Sequence, residues 1–82
     1  MIDAVRVKVE EAVGLAWDEY KGRHPQQAEA IESQFGEPLV FILKKLENDA
    51  DYQALLTKTE AEVQIANLVE VVAPLVLSVL GL

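Results

Sequence analysis

The sequence contains no cysteine. Disulfide bonds, thiolate nucleophiles and cysteine-ligated zinc are therefore excluded. The N-terminal residues also lack the layout of a secretory signal peptide, in which a basic region precedes an apolar one. Because a chain without disulfides suits a reducing compartment, we expect a cytoplasmic protein.

Basic residues are few as well. Seven Lys and Arg residues stand against 14 Asp and Glu residues, which gives a formal net charge of −7. Phosphate backbones repel such a chain, and no stripe of basic residues offsets the repulsion. Attraction to anionic lipid headgroups is disfavoured for the same reason. We expect no nucleic-acid partner, and we do not expect a membrane partner.

The sequence also has little that could carry catalysis or bind a metal. His24, the only histidine, stands between Arg23 and Pro25, which is typical of a linker or helix cap. Glu-x-x-His, phosphate-loop and nucleophile-elbow motifs are absent. The segment from Asn48 to Asp51 resembles the start of a calcium loop but lacks its glycine and closing Glu. We therefore predict no enzymatic activity, no metal and no cofactor.

Glycine and proline are sparse, and their positions indicate where helices end. Gly22 with Pro25, and Gly36 with Pro38, divide the first half of the chain. Between these points apolar residues recur every three or four positions, the period of a helix. The sequence predicts a single all-α domain, a small bundle of four to five helices at about 3–21, 25–35, 38–48, 50–73 and 75–80.

Three places in this prediction are ambiguous. The alternating residues from Val5 to Val9 resemble a strand, but the helical period continues beyond them, so we predict helix. Thr59 and Glu62 match a capping box, which would mark a break. Because neither Gly nor Pro lies between residues 48 and 73, we predict a continuous helix there. Pro74 should kink that helix or make it end and restart.

The segment from Val63 to Leu82 stands out, because 14 of its 20 residues are apolar and Glu70 is its only charge. A helix that is apolar all round must be buried by its own domain, by a partner chain or by lipid. A membrane span needs about 20 mostly apolar residues. A charge in the hydrocarbon costs roughly 2–4 kcal/mol, and the uncharged remainder is too short to cross. We therefore predict burial against protein.

Glu70 has three interpretations. It marks a solvent-facing stripe together with Asn67, Ala73 and Ser78, it pairs with Lys44, Lys45 or a basic residue of another subunit, or it is a functional carboxyl group with a raised pKa. The solvent-facing stripe is the interpretation we favour.

These observations predict a small acidic helical module for assembly or interaction that self-associates, as a homodimer or a higher oligomer, through its apolar C-terminal helix. A further protein partner is compatible with this. The alternatives are a membrane-associated protein, tail-anchored or holin-like, and a small module that binds an apolar ligand. The predicted interface comprises Trp17, Tyr20, Leu68, Val69, Val72, Leu75, Val76, Val79 and Leu80.

Overall fold

The computed structural model describes residues 3 to 82, and this range is all-helical, with no strand, as predicted. It contains five α-helices and one short 3-10 helix at Glu60–Glu62. The α-helices are α1 (Ala4–Arg23), α2 (Pro25–Phe35), α3 (Pro38–Leu46), α4 (Ala50–Leu56) and α5 (Ile65–Val79).

The first helix, α1, is a single uninterrupted helix. The Asp3 side chain caps it by accepting hydrogen bonds from the backbone N–H groups of Val5 and Arg6, both at 3.1 Å. The alternating valines after Asp3 are helical, as predicted. The helix continues through Gly22 to Arg23, beyond the predicted end at residue 21. Pro25 explains the difference, because a residue before proline is disfavoured in the helical conformation, so the helix stops at His24 and not at the glycine.

Two further helices begin as the prolines indicate. Pro25 and Pro38 occupy first-turn positions in α2 and α3, where a missing N–H is tolerated. Helix α3 ends at Leu46, before the predicted end at residue 48. The reason is a tight turn in which the Asp49 N–H donates to the Leu46 carbonyl at 2.9 Å. The Asp49 carboxylate then caps α4 by accepting from the Tyr52 N–H at 3.0 Å.

The predicted continuous helix over 50–73 is wrong. Helix α4 ends at Leu56, and Thr59 begins the 3-10 helix. The Glu62 carboxylate accepts from the Thr59 N–H at 3.0 Å and from its hydroxyl at 2.8 Å, so the capping box is real. These two hydrogen bonds lower the pKa of Glu62. Val63 and Gln64 are then extended before α5 begins.

The phase of the buried residues explains this break. Tyr52 and Leu55 are buried in α4, and Leu68 is the first buried residue of α5. At about 100° per residue, an unbroken helix would place Leu68 about 140° away from Leu55 around its axis. One straight helix could not direct both side chains into the same core. The extended residues reset the phase, and Val63 itself is buried at the break.

Helix α5 runs through Pro74, so the separate helix predicted at 75–80 is not formed. Pro74 is exposed, which leaves its ring outside the core. The helix ends in a Schellman motif. Gly81 has φ +76°, its N–H donates to the Ser78 carbonyl at 3.1 Å, and the Leu82 N–H donates to the Leu77 carbonyl at 2.9 Å.

The core is formed mainly by α1 and α5, which run side by side. The Lys8 ammonium, near the start of α1, lies 3.8 Å from the Glu60 carboxylate just before α5, and the later parts of both helices share one cleft. The two helices therefore point in the same direction. The buried residues are Val5, Val9, Ala12, Val13, Ala16, Trp17, Ala28, Ile31, Ile42, Leu46, Tyr52, Leu55, Val63, Leu68, Val72 and Val76.

Tyr52 connects α4 to α1 within this core. Its side chain is almost completely buried. Burial raises the pKa of the Tyr52 phenol, and the nearby Glu10 carboxylate raises it further, while Arg6 acts in the opposite direction. Folding therefore favours the protonated form of the Tyr52 phenol. Within residues 3–82, no buried side-chain nitrogen or oxygen lacks a hydrogen-bond partner.

The membrane alternative can be compared with the helix lengths. Across residues 3 to 82, none of the helices combines the length and the apolar character needed to cross a bilayer.

Candidate functional site

A cleft of about 560 Å³ lies between the second half of α1 and the middle of α5. Its volume is within the range of small-molecule sites, roughly 300–1,000 Å³. The lining residues are Ala16, Glu19, Tyr20, Arg23 and His24 on one side, and Val69, Glu70, Ala73, Pro74, Val76 and Leu77 on the other.

Helix α1 supplies an apolar floor and a charged rim. Ala16 and Tyr20 are one helical turn apart, so both face the cleft. Glu19 and Arg23 are also one turn apart, and their side chains form an ion pair at 2.6 Å. Both side chains are largely exposed, so this pair lies at the rim of the cleft. The positive charge of Arg23 offsets the negative charge of Glu19.

Helix α5 presents two adjacent rows to the cleft. Val69, Ala73 and Val76 form the inner, apolar row, and Glu70, Pro74 and Leu77 form the outer row. The small side chains explain why space remains between two closely packed helices. Ala16 of α1 and Ala73 of α5 each contribute a single methyl group where larger side chains would fill the gap.

An aromatic cluster forms one wall. The Tyr20 ring stacks on Trp17 with a centroid distance of 5.8 Å, and its other neighbour is the His24 ring at 4.9 Å. Trp17 is buried in the core. The Tyr20 wall of the cleft is thus attached to the core through Trp17, the only tryptophan of the chain.

His24 has two roles in the structure, and the sequence predicts only the first. It separates α1 from α2, and its backbone N–H donates to the Tyr20 carbonyl at 2.8 Å, which confirms the prediction of a linker or cap residue. Its ring also lines the cleft. The sequence pattern did not indicate this second role, because Val69 to Leu77 are far from His24 in the chain.

Glu70 is exposed, as are Asn67 and Ser78, while Ala73 is half-buried. Three of the four residues therefore match the solvent-facing stripe. Over residues 3–82 the ion pairs within 4.0 Å involve other carboxylates, so Glu70 does not pair with Lys44 or Lys45. The Glu70 carboxylate thus lines the cleft without a cationic neighbour in this range.

The predicted interface residues divide into two groups. Trp17, Leu68, Val72 and Val76 are buried within the chain's own core, so within this fold they leave little surface for a second copy. The other five are only partly buried and pack against the core. They are Tyr20, Val69, Leu75, Val79 and Leu80.

The arrangement offers binding groups more than catalytic ones. In the part of the chain that the structure describes, no three His, Asp or Glu side chains lie together as possible metal ligands. Tyr52 and Glu62, whose pKa values are shifted, both lie outside the cleft. What the cleft provides is an apolar floor, an aromatic wall and one unpaired carboxylate.

Comparison with known proteins gives no relative, since no family model, curated protein or solved structure matches this chain.

Proposed function

We propose that this protein is a non-enzymatic association module in which two copies pack together through the outer stripe of α5. The outer stripe comprises Asn67, Val71, Leu75 and Ser78, which lie on one side of the helix at spacings of three and four residues. The observation that carries the proposal is the distribution of charge. Every charged side chain in the sequence lies at or before Glu70, and the stripe has none.

The exposure of the stripe supports its role. Val71 is 50% exposed although it is a large apolar residue, and Leu75 next to it is half-buried. Asn67 and Ser78 are exposed at the two ends. A small apolar centre with hydrogen-bonding groups around it is the usual composition of a protein–protein interface. Because this patch is small, we expect a weak and reversible dimer that forms only as the protein concentration rises.

Electrostatics favours this surface over the others. Two copies that each carry a net charge of −7 repel one another, and the repulsion is largest where acidic faces meet. A symmetric dimer places the same patch of each copy against itself. An uncharged stripe allows this approach while the acidic residues of the other helices stay apart. Raising the salt concentration should therefore strengthen the dimer by screening the remaining repulsion.

The proposal revises the predicted interface and keeps its helix. Leu75 remains, and Val71 replaces the residues that are buried in the core. A cytoplasmic location and the absence of catalysis are part of the proposal. Its support is the lack of charge on the stripe together with the exposed apolar side chain at its centre.

The test is sedimentation velocity of the purified chain from micromolar to millimolar concentration, at low and high salt. We expect a reversible dimer that is favoured by salt. Val71→Asp should abolish the dimer, because a charge pair of the same sign would be buried at its centre. Val40→Asp on α3 is the matched control, since Val40 is 58% exposed and Val71 is 50% exposed.

Two outcomes would contradict the proposal. One is a chain that remains monomeric over the whole concentration range at both salt levels. The other is a dimer that Val40→Asp weakens as much as Val71→Asp does, because that result would place the interface elsewhere.

A further inference from the structure

We infer that the cleft between α1 and α5 binds a small primary amine with an apolar body, and that the ammonium group is held at Glu70. This inference concerns the side of α5 that faces α1, and it does not depend on the outer stripe. Three features of the cleft support it: the charge of the rim, the Glu70 carbonyl that Pro74 leaves without its helical donor, and the apolar floor.

The charge of the rim selects a cation. Arg23 is the lining side chain that carries a formal positive charge at pH 7, where His24 is counted as neutral, and its guanidinium group already pairs with Glu19 at 2.6 Å. Glu70 remains as a carboxylate with no cationic neighbour within 4.0 Å in residues 3–82. A ligand cation would gain a charge-assisted hydrogen bond there. An anion would meet the Glu70 carboxylate, while the Arg23 guanidinium group is already paired with Glu19.

The proline adds a second acceptor at the same place. In an α-helix the carbonyl of residue 70 points towards the N–H of residue 74, and Pro74 has no N–H. The Glu70 carbonyl therefore lacks its usual donor, and both residues line the cleft. A primary ammonium group carries three N–H donors, enough for the carboxylate and the carbonyl together. A quaternary ammonium group carries none, so the acceptors favour the primary amine.

The rest of the cleft fits an apolar body. Ala16, Ala73 and Val76 form the floor, and the Tyr20 ring forms a wall. A volume of about 560 Å³ has room for an alkyl or aryl group. Burying such a group contributes affinity in proportion to the apolar area removed from water. The charge at the rim and the apolar floor together specify an amphiphilic amine.

The experiment uses octylamine as the probe and follows binding to the full chain by calorimetry and by Trp17 fluorescence. At neutral pH the amine is protonated, as a lysine side chain is. Octyltrimethylammonium, octanol and octanoate carry the same alkyl chain with different head groups. We expect octylamine to bind most tightly, with an affinity about tenfold above that of octanol, and octanoate to bind most weakly.

Variants then test the two acceptors. Glu70→Gln should lower octylamine affinity about tenfold, whereas Glu29→Gln on α2 changes the net charge equally and should leave it unchanged. Pro74→Ala restores the missing N–H. It should raise the melting temperature and yet weaken octylamine binding, because the Glu70 carbonyl is then occupied within the helix. General damage to the protein would move these two quantities in the same direction.

The location is tested in the same assay. Ala73→Leu should fill the cleft and abolish binding while the circular dichroism spectrum stays helical. Val40→Asp on α3, far from the cleft lining, should leave octylamine affinity within about twofold, since no direct contact is lost. Equal affinity for octylamine and octanoate would overturn the inference. Unchanged binding by Glu70→Gln or by Ala73→Leu would do the same.

Discussion

Helix α1 and the segment over residues 50–79 have similar apolar spacing in the sequence but fold differently. Helix α1 contains two glycines, Gly14 and Gly22, and is continuous. The second segment has neither Gly nor Pro before residue 74, and it breaks into α4, a 3-10 turn and α5. The glycines do not decide where these helices end. What decides is whether the buried side chains stay on one side of a single helix.

The buried positions of α1 satisfy that condition. Val5, Val9, Ala12 and Ala16 follow one another at intervals of three and four residues, so they form one face. A side chain at Gly14 would also be tolerated, because its Cβ would lie 3.9 Å from a Leu39 methyl group, an ordinary contact. In the second segment the buried face changes between Leu55 and Leu68, and the chain must leave the helix in between.

The largest effect is expected from removing buried volume in both regions. Val9 in α1 and Val63 at the break are 0% and 2% exposed. Val→Ala at either position removes two methyl-sized groups and leaves a cavity, so each should lower the free energy of unfolding by about 2 kcal/mol. The loss at Val9 should be smaller by about 0.5 kcal/mol, because alanine favours a helix more than valine does. Urea denaturation followed by Trp17 fluorescence measures both.

This pair of variants shows whether the break is anchored as firmly as α1. Val63 is extended and lies between two exposed residues, so its side chain is the main attachment of the linker to the core. If Val63→Ala changed the unfolding free energy by only a few tenths of a kcal/mol, the linker would be attached loosely, and the phase argument for its position would lose its support.

A smaller effect is expected from the cap that begins α1 and from the capping box at the break in the second region. Asp3→Ala removes the acceptor for two N–H groups of α1, and Thr59→Ala removes one half of the capping box. Each should lower the free energy of unfolding by about 1 kcal/mol. Far-UV circular dichroism of Thr59→Ala distinguishes two causes of the break.

If the phase of the buried residues causes the break, the helix content of Thr59→Ala stays unchanged in the folded protein. If the capping box alone causes it, helix content rises as residues 57–64 join α4 to α5. Asp3→Ala is the control, because it removes a cap where no break is present and should not increase helix content.

The elements that the sequence predicted well are those with local signals. Pro25 and Pro38 mark the starts of α2 and α3, and Asp3 and Asp49 are caps in the structure. The break at Thr59 also had a local signal, the capping box. The absence of glycine and proline favours a continuous helix there, whereas the phase of the apolar residues on either side favours a break.

The cleft had no local signal. It exists because α1 and α5 run in the same direction, which brings Ala16 and Ala73 to the same cleft. The two residues are far apart in the chain, so no local pattern indicates that they meet. The exposure of Val71 beside the buried Val72 also depends on the rotation of α5 about its axis. The break sets that rotation. The position of this loop therefore decides which side chains of α5 are exposed.

The smallest effect at neutral pH is expected at Tyr52, where α4 meets α1. Because burial and Glu10 raise the pKa of this phenol above its ordinary value of 10.0, folding favours the protonated form. Its contribution to stability is complete below pH 10 and is lost as the pH rises through the raised pKa. Tyr52→Phe keeps the ring, so it should change stability little at pH 7. It should reduce the loss of stability at alkaline pH, measured as melting temperature against pH.

Tyr20→Phe is the control and should retain the alkaline loss of stability. If both variants behaved alike, the contact between α4 and α1 would not be the part of the core that opens in base.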